Sequence, residues 1–105
     1  MKETLGILLT TSPDHEDGHT VRRIVEAARA RGVEVRLFVM CDGVYHLLDP
    51  AFHELARSGV SIVCCGQDAT KRHLAPIEEV PNLRWGSQYD FARITAECDR
   101  ILAFD

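Results

Sequence analysis

Residues 60–73 read VSIVCCGQDATKRH and carry the pattern of a strand that turns directly into a helix. Val60 to Cys64 is apolar and rich in β-branched residues, which is typical of a short buried strand. Gly66 marks the turn, and Asp68 is placed to cap a short helix that carries the cationic run Lys71–His73. The segment therefore predicts a buried strand, a tight turn and a helix in immediate succession.

Cys65 is expected where this strand ends and the helix begins, beside three potential cations. Such a setting stabilises a thiolate, which is the form of cysteine that attacks sulfur or carbon. Free cysteine is also often buried, and the local sequence alone slightly favours the alternative that Cys64 and Cys65 are small core residues. Neighbouring strand residues project to opposite faces, and we therefore expect no disulfide between the two.

Strand signals alternate with helix signals over the whole chain. The predicted strands are apolar runs at Leu5–Leu9, Val33–Met40, Val60–Cys64, Leu83–Trp85 and Ile101–Phe104. Strands that are apolar on both faces are typical of a parallel sheet covered by helices. The pattern predicts an α/β fold, a three-layer α/β/α sandwich with a mostly parallel sheet of about five strands.

Cap and turn residues mark the helices between these strands. Apolar residues recur at helical spacing in Val21–Ala28, Asp49 precedes a proline at a first helical position, and Ser87 with Asp90 resembles a capping box. Cys98 lies on the apolar face of the last predicted helix, which indicates a core residue.

Length and composition limit the function classes. The 105 residues predict a single domain, residues 1–105, and 46% hydrophobic with 27% charged residues is ordinary for a globular chain. A net charge of −4 argues against a nucleic-acid partner. No stretch approaches the roughly 20 apolar residues of a membrane span, and the N-terminus lacks a signal-peptide pattern. We expect a cytoplasmic protein with four reduced cysteines.

Candidate site residues gather where the strands end, because sites in parallel sheets form beyond the carboxyl ends of the strands. The loops there are 10–18, 41–49 and 65–68. These loops and the helix starts that follow contain two cysteines and four histidines: Cys41, Cys65, His15, His19, His46 and His73. Cys41 is a candidate resolving thiol, since a neighbouring thiol can convert a persulfide into a disulfide. The alternative, which the local sequence favours, is a small side chain in a tight turn.

Each candidate role of the histidines has a simpler alternative. His15 and His19 are spaced to share a metal ion on a helical face, but a solvated loop interrupted by Gly18 explains both, and no metal is predicted. His46 and His73 are better placed as proton donors or thiolate partners than as ligands, with an exposed helix position as the alternative for His73. No Gly-rich phosphate loop is present, so no cofactor is predicted.

Two aromatic residues accompany the least regular segment, residues 76–86. Trp85 and Tyr89 are readable either as anchors of an interface or as core residues packed on the final helix. The sequence leaves both interpretations open.

Three motifs in chain order resemble the DsrE/DsrF/DsrH family, which includes the TusB, TusC and TusD sulfur-relay proteins. Leu37–Tyr45 is similar to the family's apolar strand with an Asp-Gly-Val turn, and Glu97–Phe104 to its closing helix and strand. Between them, Glu54–Val60 leading to Cys65 resembles the segment that carries the family's active cysteine. Two departures are Cys41 and His73, which stand where we expect glycine or another small residue.

The resemblance implies a sulfurtransferase-like persulfide carrier in intracellular sulfur relay. Cys65 would accept sulfane sulfur from a donor protein and pass it to an acceptor protein. Because members of the family commonly form oligomers, the resemblance also implies a trimer or hexamer, formed from this chain alone or with related subunits. Some members lack the cysteine, so the alternative is a non-catalytic oligomeric binding or scaffold subunit of the same fold.

Overall fold

One sheet of five parallel strands organises the molecule. The computed structural model describes residues 2–76 and 79–105. The strands are β1 (Thr4–Leu9), β2 (Glu34–Val39), β3 (Ser61–Cys65), β4 (Leu83–Gly86) and β5 (Arg100–Phe104). They lie in the order β4-β3-β2-β1-β5, and all four pairings are parallel. The predicted fold class is confirmed.

Helices cover the two faces of the sheet unequally. They are α1 (Asp17–Ala30), a 3-10 helix (Cys41–Leu48), α2 (Pro50–Arg57), α3 (Gly66–Lys71) and α4 (Gln88–Glu97). The front face, defined as the face covered by α1, the 3-10 helix, α2 and α3, contains most of the buried hydrophobic side chains. The back face packs against α4 and has a small core of Phe38, Val63, Cys65 and Ile94. No helix in the described residues is long and apolar enough to cross a membrane.

Local sequence explains most element boundaries. The predicted apolar side of α1 is confirmed, since Val21 and Val25 are buried in the front core. The Asp49 carboxylate accepts a hydrogen bond from the Ala51 N–H at 2.9 Å and caps α2. The predicted capping box of α4 is also present. The helices α2 and α4 therefore begin at residues whose side chains satisfy backbone N–H groups left free by the first turn, whereas α1, the 3-10 helix and α3 begin without a side-chain cap.

Some details differ from the sequence predictions. The strand β3 extends one residue further than predicted and includes Cys65. The residue flanking the start of α3 is Cys65, so Asp68 lies inside the first turn and is not the cap. The segment after β2 is a 3-10 helix, where the sequence suggested an open loop. The irregular segment predicted at 76–86 includes residues 77 and 78, which lie outside the described residues.

Candidate functional site

Cys65 lies at the carboxyl edge of the sheet. It is the last residue of β3 and immediately precedes α3, as the sequence predicts. Its side chain is 5% exposed and belongs to the small back core with Phe38, Val63 and Ile94. The thiol is therefore almost fully buried at the carboxyl edge of the sheet.

Cys64 lies on the opposite face. It is fully buried in the front core, and burial raises the pKa of its thiol to about 12. A thiol with this pKa is protonated at neutral pH, and the thiolate is the reactive form. The predicted opposite placement of the two cysteines is confirmed, and Cys64 has the properties of a core residue.

Three side chains from the end of β2 and the start of α4 lie at the edge of the small back core that contains Cys65. Met40 and Phe91 are half-buried and pack against the back core. The rings of Phe38 and Phe91 stack with centroids 5.5 Å apart. The Gln88 amide donates to the Met40 sulfur at 3.7 Å, which joins the two elements. We did not predict this group from the sequence, because its members come from distant segments.

Cys41 is exposed and lies in the turn that follows β2. Because Val39 pairs with Cys64, the chain leaves β2 beside the end of β3. The Cys41 N–H donates to the Asp68 carboxylate of α3 at 2.7 Å. The structure therefore brings the main chain of Cys41 to the same edge as Cys65, and its role as a resolving thiol stays a prediction.

The main chain of the cationic run lies at the end of α3 remote from Cys65, while the Arg72 guanidinium reaches back and donates to the Asp68 carbonyl in the first turn at 3.1 Å. Lys71 is the last residue of α3, and a helix of this length separates its ends by about 8–9 Å. Arg72 is engaged by the Asp42 carboxylate at 2.9 Å. His73 is exposed and lies beyond the helix. His73 as a thiolate partner stays a prediction, although its backbone is at the end of α3 remote from Cys65.

Cys41 and His73, the two positions where a small residue was expected, both have a left-handed backbone conformation. The φ angle is +53° at Cys41 and +61° at His73. Glycine adopts this region without a Cβ clash, whereas other residues are strained there. This geometry explains why a glycine was expected at each position.

Three of the candidate histidines line a separate small cavity of about 130 Å³, and His19 lies in the first turn of α1 where the sequence predicted a loop. His15, His19 and Arg22 line it together with the buried His46. The described residues contain no group of three or more His, Cys, Asp or Glu side chains arranged to hold a metal ion. His46 Nε2 lies 3.0 Å from the Thr11 carbonyl, its ring packs on Phe52, and burial lowers the pKa of its imidazole. These contacts give His46 a structural role on the front face.

The two aromatic candidates have different environments. Trp85 packs against the front core, and its Nε1 has no hydrogen-bond partner among the residues described. Tyr89 is 71% exposed on the first turn of α4. Trp85 therefore packs as a core residue on the front face and not on the final helix as the core interpretation predicts, while Tyr89 is exposed to solvent.

Comparisons with known proteins agree with this architecture. Residues 3–104 match the sequence model of the DsrE/DsrF-like family. No curated protein sequence matches the chain significantly. The crystal structure of the ychN protein from E. coli superposes with a TM-score of 0.83 at 19% identity, covering 99% of this chain and 100% of that one.

A second solved structure is that of BT1422 from Bacteroides thetaiotaomicron, described as a conserved protein of unknown function. It superposes with a TM-score of 0.73 at 16% identity, covering 97% of this chain and 95% of that one. At these identities both likenesses establish the fold alone.

Proposed function

The chain belongs to the DsrE/DsrF-like family, which is generally linked to sulfur relay, and we propose that it is a sulfurtransferase-like persulfide carrier with Cys65 as the carrier thiol. The observation that carries the proposal is the position of Cys65. It ends β3 at the carboxyl edge of the sheet, where ligand sites form in parallel α/β folds. Its neighbour Cys64 is buried in the front core.

The proposed chemistry is an exchange of thiolates. The Cys65 thiolate attacks the terminal sulfur of a donor persulfide, R–S–SH, so that an S–S bond forms at Cys65 and the donor's S–S bond breaks. The donor leaves as a thiolate with the bonding electron pair. An acceptor thiolate then attacks the terminal sulfur and regenerates the Cys65 thiolate. No external oxidant or reductant is required in either step.

Cys41 offers a second outcome for the loaded carrier. Its thiolate would attack the inner sulfur of the Cys65 persulfide, form a Cys41–Cys65 disulfide and release hydrosulfide. The two cysteines lose two electrons and the terminal sulfur gains them. Support for this route is limited to the shared sheet edge, and a cytoplasmic location would keep all four thiols reduced before loading.

The test is intact mass after incubation with a small sulfane-sulfur donor. The carrier gains about 32 Da, one sulfur atom, and loses it again when a thiol reductant is added. The Cys41→Ser variant separates the two outcomes, because it retains loading but forms no intramolecular disulfide. An unchanged mass under conditions that load a known persulfide-forming protein contradicts the proposal.

The alternative is an oligomeric scaffold whose cysteines do no chemistry, and the burial of Cys65 favours it. Self-association has its own support at β5, an edge strand with unpaired backbone groups. Ile101 and Leu102 are 37% and 39% exposed there. Light scattering at micromolar concentration should report at least twice the 11.8 kDa protomer mass. A monomer throughout that range contradicts both a scaffold and the proposed trimer or hexamer.

A further inference from the structure

A thiol that is 5% exposed conflicts with exchange between proteins. In thiol exchange, the attacking and leaving sulfurs align along one axis, and the reaction depends on access to the sulfur. A donor protein cannot reach Cys65 in the arrangement described. Sulfur transfer at this residue therefore requires part of its surroundings to move.

The side chains at the edge of the back core identify the part that moves. Met40 and Phe91 pack against the small core that contains Cys65. Met40 directly follows Val39, the partner of Cys64 in register. The Gln88 amide holds Met40 through a single N–H···S contact of 3.7 Å, which is a weak hydrogen bond. Gln88 itself is exposed, so the edge of the back core is covered here by half-buried and exposed side chains.

The first turn of α4 lies very close to the neighbouring strands β3 and β4. Gly86 pairs with Cys65, and a Cβ at Gly86 would collide with the Asp90 carboxylate and lie 2.7 Å from Val63. Glycine therefore allows the turn to lie against the sheet at this point. Within the turn, the Asp90 carboxylate accepts a hydrogen bond from the Ser87 N–H. It also pairs with Arg84 of β4, so opening of the turn must break this ion pair, which the exposure of the Arg84 guanidinium to solvent keeps weak.

The body of α4 is anchored elsewhere. It packs against β1 and β2, and its one fully buried side chain is Ile94. The first turn has fewer buried contacts, since Tyr89 is 71% exposed and Phe91 is half-buried. Segments with few buried apolar contacts open at lower free energy than the core.

We propose that residues 87–91, together with Met40, form a movable cover whose opening exposes Cys65 while the front core stays folded. This inference rests on the proposed function, but it is tested by the alkylation of Cys65, which does not depend on sulfur transfer. Cys64 supplies an internal reference, because its burial in the front core restricts its alkylation to molecules that unfold globally.

The experiment measures the alkylation rate of each cysteine by peptide-level mass spectrometry at neutral pH. In the wild type, Cys65 reacts at least about a hundredfold faster than Cys64, and its rate changes little with low concentrations of urea. Phe91→Ala removes the largest cover side chain and raises the Cys65 rate about tenfold. Phe52→Ala in the front core raises the Cys64 rate and leaves the Cys65 rate unchanged, because the front core stays folded when the cover opens.

Tyr89→Ala is the matched control, because it removes an exposed ring from the same turn and should leave the Cys65 rate unchanged. Equal rates at Cys64 and Cys65 in all variants overturn the cover, since access would then require global unfolding. A Cys65 rate as fast as that of exposed Cys41 also overturns it. Fast, Phe91-sensitive alkylation without any sulfur loading supports the cover and removes the carrier function.

Discussion

Cys64 and Cys65 are adjacent in sequence but belong to the two unlike faces of the sheet. The front face has α1, the 3-10 helix, α2 and α3 over it, and Cys64 is fully buried there. The back face has α4 alone, and Cys65 lies under its first turn. Strand alternation places the two side chains on opposite faces. Because more helices cover the front face, Cys64 is part of the main core, whereas a small movement on the back face would expose Cys65.

The largest expected contrast comes from exchanging the two cysteines separately. Cys65→Ser should abolish sulfur loading and lose about 1 kcal/mol of stability, because a serine hydroxyl replaces the thiol in the apolar back core. Cys64→Ala should retain loading and lose roughly 1 kcal/mol of stability through a small buried cavity. Intact mass and urea denaturation measure the two effects. Loss of loading in Cys64→Ala alone would reverse the roles of the two faces.

Substitutions of two phenylalanines compare how firmly the two faces of the sheet are packed. Phe52 is 1% exposed in the front core, and Phe52→Ala should destabilise the protein by about 3–5 kcal/mol. Phe91 is half-buried on the back face, and Phe91→Ala should lose about 1–2 kcal/mol, less because part of its surface already contacts water. Urea denaturation midpoints at constant slope provide the comparison. Equal losses would mean that the back face is packed as firmly as the front.

The front face should also respond to acid through His46. Burial lowers the pKa of His46 in the folded protein below its value of 6.5 in the unfolded chain. The folded state therefore prefers the neutral ring, and the stability present above pH 6.5 decreases as the pH falls toward the folded value. The slope from this one group is at most about 1.4 kcal/mol per pH unit.

His46→Gln, whose amide also reaches toward the Thr11 carbonyl and does not titrate, should flatten the stability profile between pH 7 and pH 5. His73→Gln is the matched control, since His73 is exposed. Urea midpoints measured across this pH range make the comparison. An unchanged slope in His46→Gln would show that other groups cause the acid sensitivity.

The smallest effect concerns the strained backbone at the site edge. His73 has a φ of +61° and an exposed side chain, so His73→Gly should raise stability by about 0.5–1 kcal/mol. His73→Ala should not, because alanine keeps the Cβ clash. Thermal unfolding of the three proteins distinguishes them. Loss of sulfur loading in His73→Gly would instead support the predicted role of His73 as a thiolate partner.

The sequence predicted the elements that depend on local chemistry. The helical spacing in Val21–Ala28, the Asp49 cap and the Ser87–Asp90 capping box all appear where their side chains indicate. The alternation of Cys64 and Cys65 followed from the two-residue period of a strand. Such features involve residues that are close together in the chain.

The features that the sequence did not predict depend on contacts between distant segments. The carboxylate of Asp68 resembled a helix cap but binds the Cys41 N–H, because the turn after β2 lies beside α3. The contact of Gln88 with Met40 requires α4 to cross the back of the sheet toward β1 and β2. Nothing in either local sequence indicates these pairings.

The most direct measurement is the site of the added sulfur in the wild-type protein. After brief loading with a sulfane-sulfur donor, trapping and peptide mapping would give the persulfide occupancy at each of the four cysteines. The account predicts that Cys65 holds most of the sulfur and that Cys64 holds none. Sulfur found at Cys64, or confined to exposed Cys41 while Cys65 stays unmodified, would contradict it.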